Sequence, residues 1–162
     1  MPELSLPKSF KPLLGTEEAN LDDKGRILVS KKKRERLGDG FTLVQSKLGC
    51  LAAYPKEIWD RLMSEHFGFG ISNDGRMDYG RLMFGTAEDD LKFDAQGRMV
   101  VPQKLREAAK LKDKVLLIGC GERVEFWAAS EWEKYNEFPG DYGKDRRAAM
   151  EQAHDRMRGV GK

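Results

Sequence analysis

One pattern of residues that could do chemistry occurs twice in the chain: an aspartate, two variable residues, a glycine and an arginine. The copies run from Asp22 to Arg26 and from Asp94 to Arg98. A guanidinium group can grip a guanine edge or a phosphate with two parallel hydrogen bonds, and a carboxylate four residues earlier can aim it. The alternative is that each aspartate and arginine only hold a hairpin together. The glycine indicates a turn at a backbone angle that glycine adopts most easily.

Positions beside the two motifs add further polar groups. Lys24 in the first copy occupies the place of Gln96 in the second. We expect Lys24 to attract phosphate and Gln96 to hydrogen-bond a base edge or a phosphate. Arg34 and Arg106 follow on the next expected helix. They either contact phosphates or support the fold, and the sequence leaves both roles open.

The elements that must position these groups are themselves repeated. Residues 21–35, LDDKGRILVSKKKRE, align with residues 93–107, FDAQGRMVVPQKLRE, at a constant offset of 72 and with seven identical positions. Chance rarely gives such a match, so the chain contains a duplicated unit. Each unit is expected to run strand, strand, helix, strand, strand, because β-rich apolar runs flank a helical pattern. One unit is too small to enclose a core, so the two are expected to complete each other.

Composition restricts the classes of protein that remain. The chain has 162 residues, a formal net charge of +2 and 40% hydrophobic residues, which suits one ordinary domain or two small ones. No apolar stretch approaches the roughly 20 residues that span a bilayer, and no secretory signal is visible. Two cysteines cannot form a disulfide framework, so we expect a soluble intracellular protein. Residues 22–36 carry seven basic and three acidic groups, and such a run alone indicates only a solvated face.

Motifs typical of enzymes are absent from the sequence. The two histidines, His66 and His154, lie on unrelated segments, and neither a P-loop nor G-x-S-x-G occurs. The G-x-G around Cys120 lacks a third glycine and favours a strand turn. Cys50 and Cys120 stand beside apolar strand residues, as small buried hydrophobes do. We expect no enzymatic activity, no cofactor, no metal and no small-molecule substrate.

Four segments, in this order, resemble the MraZ family of bacterial transcriptional regulators: LDDKGR, CLAAYPKEIW, FDAQGRMVVPQKLR and GERVEFW. The resemblance covers roughly residues 14–134. It implies an α+β, mostly antiparallel fold, namely a pseudo-twofold swapped-hairpin barrel of two ββαββ SpoVT-AbrB-like repeats with peripheral helices. It also implies a ring-shaped homo-oligomer, cytoplasmic and on the nucleoid, that binds repeated promoter boxes in double-stranded DNA. The expected effect is repression of the division and cell-wall gene cluster and of the protein's own promoter.

The residue chemistry and the resemblance together give the two motifs and their neighbours expected roles. The residues expected to contact DNA are Lys24, Arg26, Arg34, Gln96, Arg98 and Arg106, with Asp22 and Asp94 orienting the arginines. The main alternative is a non-enzymatic protein-interaction or antitoxin-like scaffold with the same barrel. The basic run and the duplicated arginine favour DNA.

The expected organisation has five segments. They are an N-terminal extension (1–15), a first repeat (16–57), a linker helix and glycine-rich loop (58–86), a second repeat (87–130) and a C-terminal helix with a basic tail (131–162). Ser30 stands where the first unit of the family usually carries proline, so the first helix is expected to begin differently. A helix over 144–158 has little apolar surface and is expected to be mobile or to depend on a partner.

Overall fold

The computed structural model describes residue 6 and residues 8–159, and the expected order of elements is found twice in them. The first unit contains β1 (Leu13–Asn20), β2 (Arg26–Leu28), α1 (Lys31–Leu37), β3 (Phe41–Gln45) and β4 (Leu51–Tyr54). It is followed by α2 (Lys56–Phe67), α3 (Asp74–Met83) and a 3₁₀ turn (Phe84–Thr86). The second unit contains β5 (Glu88–Leu91), β6 (Arg98–Val100), α4 (Gln103–Ala108), β7 (Lys114–Gly121) and β8 (Val124–Ala128). Two helices come after it, α5 (Ala129–Glu137) and α6 (Lys144–Met157).

The two units exchange strands. An antiparallel six-stranded sheet has the order β1-β7-β8-β4-β3-β5, and β2 and β6 form a separate two-stranded ribbon. The first strand of each unit therefore pairs with the third strand of the other, β1 with β7 and β5 with β3. This order is unchanged when the units are interchanged, so a pseudo-twofold axis passes between β4 and β8 and between β2 and β6. The expected α+β, mostly antiparallel, swapped arrangement of two ββαββ repeats is confirmed.

The main core lies between the ribbon and the six-stranded sheet. Ile27 and Met99, from the middle of the two ribbon strands, are buried there. They pack with fully buried side chains of the sheet, among them Leu13, Leu43, Leu51, Val115, Leu117 and Phe126. Burial of one large aliphatic side chain stabilises a fold by about 1.5–3 kcal/mol, so this shared core holds both units and the ribbon together.

Helices α1 and α4 begin at equivalent positions, which corrects the expectation for the first unit. Ser30 precedes α1 with φ −58° and ψ 150°, and Pro102 precedes α4 with φ −55° and ψ 142°. The side chain of Ser30 makes no capping hydrogen bond. Its backbone alone takes the extended angles that proline favours in the other unit, so the substitution leaves the start of the helix unchanged.

The segment after α2 is more helical than its glycines indicate. The residues from Asp74 to Met83 form α3, although the sequence predicted a loop-like segment. Gly75 of α3 is buried against the backbone of α6, where an added Cβ would lie 2.2 Å from the Met157 nitrogen. The glycine therefore permits the close contact between two helices.

Helix α6 forms where it was expected, but it is packed against its own chain. Met150, Ala153 and Met157 are buried. The guanidinium group of Arg146 donates hydrogen bonds to three backbone carbonyl oxygens of other elements, those of Gln45 (2.8 Å), Ser46 (2.8 Å) and Leu82 (2.6 Å). The expectation that this helix would be mobile or need a partner was wrong, because a few apolar residues and one arginine suffice to anchor it.

Strand β1 begins at Leu13, inside the segment expected to be an N-terminal extension, because its whole length pairs with β7 of the other unit. The remaining segment boundaries stay a prediction. Within the described residues, no helix is long and apolar enough to cross a membrane.

Candidate nucleic-acid interface

The first Asp–Arg motif forms a tight turn in which one carboxylate has two tasks. Oδ1 of Asp22 accepts hydrogen bonds from the backbone nitrogens of Lys24 (3.0 Å) and Arg26 (2.8 Å). Oδ2 accepts a hydrogen bond from Nε of Arg26 at 2.7 Å. The same side chain thus closes the turn and holds the guanidinium group through its Nε, which leaves the Nη1 and Nη2 groups without a bond to the carboxylate.

The second motif repeats this geometry and adds one contact. Oδ1 of Asp94 accepts from the backbone nitrogens of Gln96 and Arg98, both at 2.9 Å, and Oδ2 accepts from Nε of Arg98 at 3.0 Å. Nη2 of Arg98 also donates to Oε1 of Gln96 at 2.7 Å. Arg98 is therefore held on two sides, whereas Lys24, at the place of Gln96, has no acceptor to offer Arg26.

Both carboxylates are stabilised in their charged form. The backbone N–H of Arg26 holds the pKa of Asp22 below its usual range, and the backbone N–H of Arg98 does the same for the pKa of Asp94. The guanidinium hydrogen bonds act in the same direction. Each turn therefore keeps its orienting negative charge at neutral pH.

The two glycines of the motifs have backbone angles that favour glycine, and each lies against an arginine of the opposite unit. Gly25 has φ +76° and Gly97 has φ +82°, a region that other residues enter with strain. A Cβ on Gly97 would lie 2.2 Å from Nη1 of Arg34, and a Cβ on Gly25 would lie 2.7 Å from Cζ of Arg106. Each helix arginine thus covers the hairpin of the opposite unit.

This placement gives Arg34 and Arg106 a structural role, one of the two that the sequence left open. Nη1 of Arg34 donates to the carbonyl oxygen of Val29 at 2.6 Å. Nε of Arg106 is buried without a hydrogen-bond partner. Since both residues are still partly exposed, a contact of either one with phosphate stays a prediction.

The outward face of the ribbon carries the two motif arginines and two aliphatic residues. In the antiparallel register Arg26 lies opposite Val100, and Leu28 lies opposite Arg98. The arginine side chains are 27% and 30% exposed. We define these four residues as the ribbon face. Its aliphatic members, Leu28 and Val100, were not among the predicted site residues, although the period-two alternation of a half-buried strand could have indicated them.

The basic run of the first unit is divided among several environments. Lys33 is buried and pairs with Glu17 at 3.6 Å, and Arg36 donates to the carbonyl oxygen of Pro12 at 2.5 Å. Lys24, Lys31 and Lys32 are exposed. The run is therefore only partly a solvated face, and a smaller group of cations remains near the first hairpin and helix.

The two cysteines show no sign of an activated nucleophile. Burial raises the pKa of the Cys120 thiol to about 11, and burial raises that of Cys50 further. A reactive thiol needs the opposite shift. Among the described residues, no group of three or more His, Cys, Asp or Glu side chains is placed to hold a metal ion.

Two ββαββ units that exchange strands within one chain, with one Asp-oriented arginine from each on a shared ribbon, define the class of two-unit swapped-hairpin proteins. The model of one family, described as "MraZ protein, putative antitoxin-like", matches residues 13–75 and 83–155. The chain belongs to the MraZ family, as its four segments indicated.

Curated relatives agree with this assignment. The transcriptional regulator MraZ of Heliobacterium modesticaldum is 38% identical over 124 residues, which cover 76% of this chain and 86% of the relative. That of Cutibacterium acnes is also 38% identical over 124 residues, covering 76% and 87%. That of Halothermothrix orenii is 33% identical over 138 residues, covering 85% and 96%. These relatives are named as regulators, a non-enzymatic class, which agrees with the expectation that this chain is not an enzyme.

Proposed function

We propose that this chain is a transcriptional regulator that binds double-stranded DNA through its ribbon face. The observation that supports this most is the pair of arginines on that face, each oriented by a charged aspartate. A two-stranded ribbon fits the major groove of B-DNA, where arginine binds guanine through two hydrogen bonds. The names of the curated relatives as transcriptional regulators point the same way.

The two halves of the ribbon face are proposed to act differently. Arg98 is held by both Asp94 and Gln96, so it loses less side-chain freedom when it binds. Arg26 is held by Asp22 alone, and the exposed Lys24 beside it adds a positive charge for phosphate. Such a pseudo-symmetric surface suits a DNA box whose two halves differ in sequence.

We further propose that several chains act together as a ring on tandem boxes. A single ribbon face is small, so one chain on one box binds weakly, whereas linked copies on boxes in register gain avidity. Following the family resemblance, the proposed targets are the division and cell-wall gene cluster and the protein's own promoter. The proposed effect is repression by occlusion of the promoter, in the cytoplasm on the nucleoid.

A mobility-shift titration tests the proposal. The probe is the DNA upstream of the protein's own gene, with unrelated duplex in excess as competitor. Loss of a base-contacting arginine is expected to weaken binding by about 1–3 kcal/mol, so the double variant Arg26→Ala/Arg98→Ala should lose most of the shift. The charge-matched control is Arg81→Ala/Arg158→Ala, which removes two exposed arginines at or after the peripheral helices and should bind normally.

Unchanged binding by the Arg26/Arg98 variant would refute the proposed site. The second candidate function is an antitoxin-like protein-interaction scaffold, which the description of the family as antitoxin-like favours. Wild-type protein that binds no upstream duplex, but forms a stable complex with a second protein encoded beside it, would support that candidate instead.

A further inference from the structure

The ribbon face exposes two aliphatic side chains that are not part of the core. Leu28 is 57% exposed and Val100 is 56% exposed, whereas Ile27 and Met99, their neighbours along the strands, are buried. A soluble protein exposes single aliphatic residues often, but here two equivalent positions of a repeat do so on one short face. The pair is therefore a candidate contact surface.

The strand register places each aliphatic residue beside an arginine. Residues directly opposite in an antiparallel pair have Cβ atoms about 4.5–5.5 Å apart, and alternate residues on one strand lie about 7 Å apart. Arg26 thus has Val100 across the ribbon and Leu28 along its own strand. Arg98 has Leu28 across the ribbon and Val100 along its own strand. Base pairs stack about every 3.4 Å, so an arginine and its aliphatic neighbour span one or two steps.

The occupant that fits this face is DNA rather than a second copy of the chain. Two copies meeting face to face through a twofold axis would bring four arginines into one small contact, with strong repulsion. A duplex supplies the opposite charge. It also offers one apolar group on base edges of the major groove, the C5 methyl of thymine, which aliphatic side chains contact.

We propose that Leu28 and Val100 are specificity-determining residues that contact thymine methyl groups beside the bases bound by Arg26 and Arg98. This inference rests on the proposed function, because it requires the ribbon face to enter the major groove. It predicts that the preferred box contains thymine within one or two steps of a base bound by arginine. In this proposal the aliphatic residues recognise methyl groups, and the arginines recognise bases through hydrogen bonds.

Replacement of thymine by deoxyuridine tests this directly, since it removes the methyl group and leaves every hydrogen-bonding group in place. The probe is the tightest-binding duplex recovered from a random-sequence pool, synthesised once with thymine and once with deoxyuridine. Each buried methyl group that is lost is expected to weaken wild-type binding about fourfold. The double variant Leu28→Ala/Val100→Ala should bind the thymine duplex more weakly and should no longer distinguish the two duplexes.

Ile71→Ala is the matched control, because it truncates another exposed aliphatic side chain, on the α2–α3 connection, and should discriminate as the wild type does. Equal binding of both duplexes by the wild type overturns the inference while the proposed function stands. A double variant that still binds the thymine duplex more tightly than the deoxyuridine duplex overturns it as well. The same holds if the double variant alters the mass of the assembly but keeps that preference. Recovery of no duplex at all would overturn both the inference and the proposed function.

Discussion

Asp22 and Asp94 show how much a single side chain can determine at the scale of the residue. Each closes a turn through one oxygen and orients an arginine through the other. The spacing of the motif predicted the pairing, and in the structure each aspartate closes its hairpin and hydrogen-bonds its arginine at the same time. The role of Arg34 could not be predicted, because its partner, Gly97, lies in the other repeat and no local pattern reports a contact between units.

The first prediction concerns that contact. Gly97→Ala should destabilise the protein by about 1–2 kcal/mol through its positive φ, and by more because the new methyl group displaces Arg34. In protein that already carries Arg34→Ala, Gly97→Ala should cause only the destabilisation that comes from its positive φ. Urea unfolding of the two single variants and the double variant measures the coupling, which is expected to exceed about 0.5 kcal/mol. Additive effects would contradict the contact between Arg34 and Gly97.

At the scale of the element, the peripheral helices show where local sequence misleads. Gly75 and Gly80 lower the helix propensity of α3, so the sequence predicted a loop there. Tertiary contact overrides this, because Gly75 allows the backbones of α3 and α6 to approach closely. The order strand, strand, helix, strand, strand was predicted correctly for both units, since continuous apolar runs between glycines leave few alternatives.

The two glycines of α3 give the second prediction. Gly75→Ala should destabilise the protein despite a better helix propensity, since the new Cβ would meet backbone atoms of α6, 2.2 Å from the Met157 nitrogen. Gly80→Ala is the matched control, as its Cβ would meet only side-chain atoms at 3.8 Å. It should be neutral or stabilising by up to about 1 kcal/mol. Thermal unfolding measures the stability of both variants. Equal shifts of the unfolding temperature would disprove the close contact between α3 and α6.

The third prediction is a pH dependence of the same helical layer. His66 is buried against Phe84, with ring centroids 4.5 Å apart, and burial lowers its pKa, helped by the charge of Arg76. As the pH falls, His66 is therefore protonated in the unfolded chain before it is protonated in the folded protein. The free energy of unfolding should be highest above about pH 6.5 and should decrease as the pH falls below that value.

Chemical unfolding between pH 7.5 and 5.5 measures this dependence. His66→Gln should flatten the profile, and His154→Gln, which changes the other histidine of the chain, serves as its control. A profile that falls equally steeply in the wild type and in the His66 variant would assign the dependence to other groups.

At the scale of the whole molecule, duplication and strand exchange place two similar but unequal motifs on one surface. The pseudo-twofold order of the sheet brings β2 and β6 together, so Arg26 and Arg98 share a face although 72 positions separate them. The repeat could be found in the sequence, and so could the need for two units to share a core. The pairs across the ribbon, Arg26 with Val100 and Arg98 with Leu28, could not be predicted, because they depend on the register between strands of different repeats.

The central claim is that this ribbon face reads DNA sequence. The most direct test is the ratio of dissociation constants for a selected duplex and an unrelated duplex, measured at one fixed salt concentration because salt changes both values. The wild type is expected to prefer the selected duplex by at least about a thousandfold. For Arg26→Ala/Arg98→Ala the ratio should fall towards one while the protein stays folded, and an unchanged ratio in that variant would contradict the claim.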